Sequence, residues 1–264
     1  MRAFSVGGAT RAALCSIFLL WAHSALAVAA LRNLPPEGVR KYGVYWTGIH
    51  IADLTVTQSA LEMRARIDSY GVVKKVSKFK SQTRSVYKKS DDGTLIPVSF
   101  NTVFRNRSRE RSIDIFYDPN GGVTQESVVP PDNRKKRPAV ANDLKIGALD
   151  PLTAALWARM RVIEARKNGE RSFSFPIYDG RRLSRLDFSL GKKSEISVNG
   201  RSYNVISLVM RRVALQGYTK RELERIKDEE PVMTIYVTDD EAAMPVKAEA
   251  AAPLGTAIIE YEGD

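Results

Sequence analysis

Gly147-Ala148-Leu149-Asp150-Pro151-Leu152-Thr153-Ala154-Ala155-Leu156-Trp157-Ala158-Arg159-Met160-Arg161-Val162-Ile163-Glu164-Ala165-Arg166 is the stretch that decides the fold. Asp150 carries the short acceptor side chain of a helix N-cap, and Pro151 has the fixed φ that suits the first helical position. Leu152, Leu156, Met160 and Ile163 then recur along one apolar face, which predicts a helix over about 150–166. The rest of the chain reads as strands and turns. An apolar helix face must be buried, and in such a chain the partner on offer is the concave side of a curved sheet.

Working outward, four segments place Gly after Asp or Asn between β-like runs: Asp92-Gly93, Asn120-Gly121, Asp179-Gly180 and Asn199-Gly200. Such pairs adopt the positive φ angles of tight hairpins. Phe173, Phe175 and Ile177 alternate with Ser172 and Ser174, and Leu186, Phe188 and Leu190 alternate with Asp187 and Ser189, as in strands with one dry and one wet face. Tyr42 to Ile49, Ala52 to Ser59 and Leu61 to Ile67 predict an opening three-stranded meander, with one or two helical turns over Val72 to Phe79. Val205 to Val209, Pro231 to Thr238, Met244 to Ala251 and Thr256 to Tyr261 continue the strands, and the charged segment Thr219 to Glu230 projects as a helix or loop. Val128 to Ile146, with Pro130-Pro131, Arg134 to Arg137 and Pro138, cannot sit inside a sheet and reads as a long loop leading into the helix. The expected fold is mainly β: a strongly curved antiparallel sheet of about ten to twelve strands, an incomplete barrel, wrapped around one principal α-helix.

Arg2 and Arg11, the apolar run Ala12 to Ala22 and the small residues Ala25 and Ala27 form the pattern of a secretory signal peptide, cleaved after Ala27, with Ala29 as the second choice. The run is too short to span a bilayer, and Leu14 ahead of Cys15 does not fit a lipid-anchor signal. Residues 28–264 then form a single periplasmic domain of a Gram-negative envelope, with no later transmembrane segment. That domain has no cysteine and one histidine, His50, so disulfides, a cysteine nucleophile and a zinc site of several His or Cys ligands are excluded. The formal net charge of +11 falls by two with the signal and stays basic. Outside the cytoplasm its anionic partners are lipid, peptidoglycan or acidic protein, not nucleic acid.

The segment from Gly147 to Leu156 resembles an exported bacterial family known as domain of unknown function thirty-one-oh-eight. Further matches, in the family's order, are Tyr42-Gly43-Val44-Tyr45-Trp46-Thr47-Gly48, Leu95-Ile96-Pro97, Tyr178-Asp179-Gly180-Arg181-Arg182, Val237-Thr238-Asp239-Asp240 and Met244-Pro245-Val246. The resemblance implies a periplasmic curved sheet similar to the incomplete barrels of lipoprotein carriers, and it implies no activity. Thr219 to Glu230 looks longer than the family pattern.

Candidate sites follow from residue chemistry. Leu152, Leu156, Trp157, Met160 and Ile163 are the expected lining of a ligand groove between helix and sheet. Arg181 and Arg182 beside a turn, and Arg134, Lys135, Lys136 and Arg137 in the loop, are candidate anion contacts, with ion pairing or plain solvation as the structural alternatives. Tyr45, Trp46, Phe104, Phe116 and Trp157 suit either a lipid cavity or ordinary core. Asp239, Asp240 and Glu241 lack calcium-loop spacing and read as a solvated turn. His50 lacks a visible orienting acid, so a structural or surface role is expected, and no pair of carboxylates stands out for glycoside cleavage. No nucleophile, metal ligand set or cofactor motif is visible. The expected function is non-enzymatic binding of a lipid or lipoprotein segment; the alternative is an interaction module that engages peptidoglycan or an envelope protein through the basic surface.

Overall fold

The computed structural model describes residues 34, 36–76, 78–90, 93–229, 232–252 and 255–264. The signal peptide expected over residues 1–27 lies outside them, as does Asp92 of the first Asp-Gly pair.

The chain builds β1 (Gly38–Trp46), β2 (Ile49–Gln58), β3 (Glu62–Ser69), α1 (Gly71–Val76), β4 (Lys80–Lys89), β5 (Leu95–Arg105), β6 (Glu110–Tyr117) and β7 (Val123–Val129). After the long loop come α2 (Pro151–Asn168), β8 (Ser172–Tyr178), β9 (Leu183–Val198), β10 (Arg201–Gln216), α3 (Lys220–Glu229), β11 (Val232–Thr238), β12 (Pro245–Ala252) and β13 (Gly255–Gly263). The strands form one antiparallel, curved, unclosed sheet in the order β7-β6-β5-β4-β3-β2-β1-β13-β12-β11-β10-β9-β8. First and last strands thus pair in its middle, with Tyr42 opposite Tyr261. Its two free edges are β7 and β8, and the connection between them is the loop and α2.

Among the described residues the strands number thirteen, not ten to twelve. The least legible are β4 and β7, whose inward positions are partly polar: Thr83 hydrogen-bonds Thr102 across the sheet at 2.9 Å, and Ser85 reaches the helix cap. Their sequences therefore lack the apolar alternation that marks a strand. Asn199 and Gly200 both have positive φ (49° and 75°), as a two-residue hairpin between antiparallel strands requires.

Asp150 starts α2 as expected. Its carboxylate accepts from Leu152 N (2.9 Å), Thr153 N (3.1 Å), the Thr153 hydroxyl (2.6 Å) and the Ser85 hydroxyl (2.8 Å), so one buried side chain caps the helix and ties it to β4. Gly169, at φ 70°, closes the helix by donating its N–H to Ala165 O, so α2 ends at Asn168, two residues beyond the expected Arg166.

The helix is enclosed on several sides rather than along one stripe. Ala154, Ala158 and Val162 pack on Phe175, Ile177, Leu186, Phe188 and Leu208. Leu156 and Met160 pack on Met63, Tyr87 and Leu95. The open seam is bridged by the segment that precedes α2: Gly147 N donates to Gly121 O at 3.3 Å, Leu149 N to Pro176 O at 3.1 Å, and Tyr178 N to Leu149 O at 2.9 Å. Glu126 of β7 accepts from the Tyr178 hydroxyl of β8 (2.7 Å) and from the buried Lys145 ammonium (2.9 Å), which latches the two edges across the gap.

Candidate functional site: an apolar cavity with an arginine end

Between α2 and the inner face of the sheet lies a cavity of about 380 Å³. Small side chains create it. Ala154, Ala155 and Ala158 stand on the cavity side of the helix beside Pro151, Leu152 and Val162, facing Leu54, Val56, Met210, Ile235 and Ile259 across the space. Those last five keep part of their surface accessible although they point inward, and Ala155 is exposed to the void. Among the described residues the lining has no Ser, Thr, Cys, His, Lys, Asp or Glu; its polar members are Arg40, Arg159, Arg212 and Tyr42. A wall of this composition can hold an apolar body and present cationic donors to it, and it offers no nucleophile–base pair.

Arg40 and Arg159 come together because strand alternation places Arg40 and Tyr42 of β1 on the inner face, opposite Val56 and Leu54 of β2, while α2 delivers Arg159 from above. Both arginines are at least nine-tenths buried. Arg159 donates to Gln58 Oε1 (3.1 Å), Ala242 O (2.9 Å) and Ala243 O (3.3 Å), and Arg40 donates to Pro36 O (2.8 Å). Burial, reinforced by the neighbouring Arg40 charge, lowers the Arg159 pKa to about 10. Burial raises the Tyr42 phenol, and the Arg159 and Arg40 charges oppose that rise.

The helix residues expected to line the groove divide. Leu152 lines the cavity, Leu156 and Met160 point into the packed cluster on Met63 and Tyr87, Trp157 sits between two core clusters, and Ile163 packs on the apolar core beside a surface groove. Because both sides of the helix are buried, the face with the largest side chains is the filled one, and the alanine face borders the void. None of Tyr45, Trp46, Phe104, Phe116 or Trp157 lines the cavity; Trp46 and Phe116 are exposed, and Phe104 stacks on Phe79.

The expected anion contacts divide as well. Arg181 pairs with Asp132 (2.9 Å), Arg182 with Asp179 (2.9 Å) and Glu222 (3.6 Å), and Arg137 with Glu222 (2.7 Å) and Asp132 (3.4 Å). These three arginines share three carboxylates and tie the long loop to the β8–β9 turn and α3. Arg134, Lys135 and Lys136 are exposed. A groove at the end of α2 is likewise self-paired, with Asp239 held by Arg166 (2.5 Å) and Lys193 (2.7 Å). Asp240 Oδ1 accepts from the Thr238 hydroxyl and from Ala242 N and Ala243 N, so it orders a turn. His50 does have an acid neighbour, Asp53 at 3.0 Å, and is stacked between Tyr45 and Tyr70.

An unclosed barrel-like sheet around a plugging helix, with an apolar void between them, defines the structural class. By sequence the chain belongs to the family described as "Protein of unknown function (DUF3108)", whose model matches residues 41–262. A β-barrel-like protein of domain of unknown function DUF1849 from Brucella abortus has a similar fold: TM-score 0.56 at 10% identity, covering 88% of this chain and 97% of that one. A structure described as a "putative lipoprotein" from Parabacteroides distasonis ATCC 8503 aligns over the same shares at 10% identity with a TM-score of 0.32. No curated protein matches. Among the described residues no helix is long and apolar enough to cross a membrane.

Proposed function

We propose that the protein is an exported, periplasmic envelope component that binds a hydrophobic, lipid-like ligand without transforming it. The observation that carries this reading is the apolar void between α2 and the sheet. At about 30 Å³ per water-sized group, 380 Å³ has room for about a dozen such groups. If each is a buried methylene contributing about 0.8 kcal/mol, the gross gain is about 10 kcal/mol, which the cost of association, about 4–15 kcal/mol, largely offsets. A chain of this length is therefore held firmly only if something also holds its polar end. The reading is tested by filling the void: Ala155→Phe places a ring in it at little cost to the helix. Loss of lipid capture by a folded variant supports the assignment, and undiminished capture refutes it.

The second reading, an interaction module for peptidoglycan or an envelope protein, rests on the exposed cations Arg134, Lys135 and Lys136. It predicts a salt-sensitive pull-down that survives Ala155→Phe and is lost when the three cations are removed.

A further inference from the structure

We infer that the ligand is an anionic amphiphile, its carboxylate or phosphate head group held by Arg40 and Arg159 at one end of the cavity and its chain lying along α2. This rests on the lipid-binding reading and adds the charge and orientation of the ligand.

Three observations carry it. First, both guanidiniums line the cavity while nearly excluded from water, and every hydrogen bond found for them goes to a neutral oxygen. A buried cation served only by neutral acceptors has given up hydration without gaining a counter-charge, and two such cations side by side repel each other. Second, among the described residues no acid forms an ion pair with either arginine. Among the described residues the lining has no acid, and Asp240, whose charge reaches Arg159, makes no ion pair with it and turns its Oδ1 to Thr238, Ala242 and Ala243. Arg137, Arg181 and Arg182, also partly buried, each pair with a carboxylate, and Arg40 and Arg159 do not. Third, donors remain. Of five N–H groups on each guanidinium, Arg159 uses three and Arg40 one in the bonds above, leaving a planar fork suited to carboxylate or phosphate. The apolar wall begins at these arginines with Tyr42, Val56 and Ala158, so head and chain are recognised by one continuous surface.

The test titrates the purified, delipidated protein with three probes of one chain length: dodecanoate, dodecyl phosphate and 1-dodecanol. The expected result is that at least one anion binds about 10- to 100-fold more tightly than the alcohol, as charge-assisted hydrogen bonds dictate, and that Arg40→Gln and Arg159→Gln reduce this preference. Which anion binds better identifies the head group. Equal binding of all three overturns the inference and leaves the lipid-binding reading standing; binding of none overturns both. The probe series on the unaltered protein decides the matter even if Arg159→Gln fails to fold.

Discussion

Replacing Asp150 with alanine removes the cap of α2 and its tether to β4 in one step. The carboxylate accepts four hydrogen bonds and is fully buried, so water cannot substitute for it. Loss of an N-cap costs about 1 kcal/mol. The Ser85 and Thr153 hydroxyls keep only each other, at 2.9 Å, and the Leu152 and Thr153 N–H groups lose their acceptor. Leaving buried donors short of partners adds about 1–3 kcal/mol for each such group. Because the two hydroxyls still pair, the cap and two N–H groups at about 1–2 kcal/mol each total about 3–5 kcal/mol, a large part of the 5–15 kcal/mol typical of a folded domain. Asp150→Asn keeps a capping oxygen but can no longer accept both hydroxyls, so it should cost about 1–2 kcal/mol. Urea unfolding followed by tryptophan fluorescence is the assay, because Trp157 lies on α2 itself. With a slope of about 2–3 kcal/mol/M, the alanine variant should unfold at least about 1 M earlier. A cost below 1 kcal/mol, or equal costs for the two variants, would refute the claim that this carboxylate fixes the helix in the sheet.

Glu222 gives a pH-dependent prediction. Burial pushes its pKa up, but hydrogen bonds from Arg137 and Thr219 outweigh this and hold it at about 2, against 4.5 for a free side chain. A depressed carboxyl pKa stabilises the fold above 4.5, and that contribution is lost as pH falls toward 2. Allowing for screening at a partly exposed pair, Glu222→Gln should cost about 1–2 kcal/mol at pH 7 and little by pH 2 in denaturant titrations. Gly217 has φ 81°, and a Cβ there would strike the Arg181 carbonyl, so Gly217→Ala should cost at least about 2 kcal/mol. Gly200, at φ 75° with open space around it, should lose only about 1 kcal/mol on the same change; similar thermal shifts for the two would contradict the packing described.

What could be read in the sequence depended on how local its cause was. Asp150, Pro151 and the apolar repeat announce α2 from within a few residues, and Asn199-Gly200 announces its hairpin. β4 hides because its inner residues Thr83 and Ser85 satisfy partners across the sheet and on the helix instead of packing as hydrophobes. The groove residues were harder. Leu156 and Met160 are the large apolar groups of α2, and a large group fills space, so they belong to the packed side; the void lies beside Ala155 and Ala158, whose smallness carries no marker in sequence. Arg40 sits beside Lys41 in a basic pair that marks no inward side, and only the register of β1 against β2, with α2 above, turns it inward to meet a residue 119 positions away. Arg181 and Arg182 are visible as a basic pair with Asp179 as a local partner, but Asp132 and Glu222 come from distant segments.

Native mass spectrometry of the protein purified gently from a periplasm, alongside Ala155→Phe, asks whether the void holds lipid. A discrete adduct of lipid mass is expected on the unaltered protein, extractable into organic solvent as an acidic amphiphile and absent from the folded variant. A bare mass for both proteins, with no uptake when lipid is added, would contradict the lipid-binding reading.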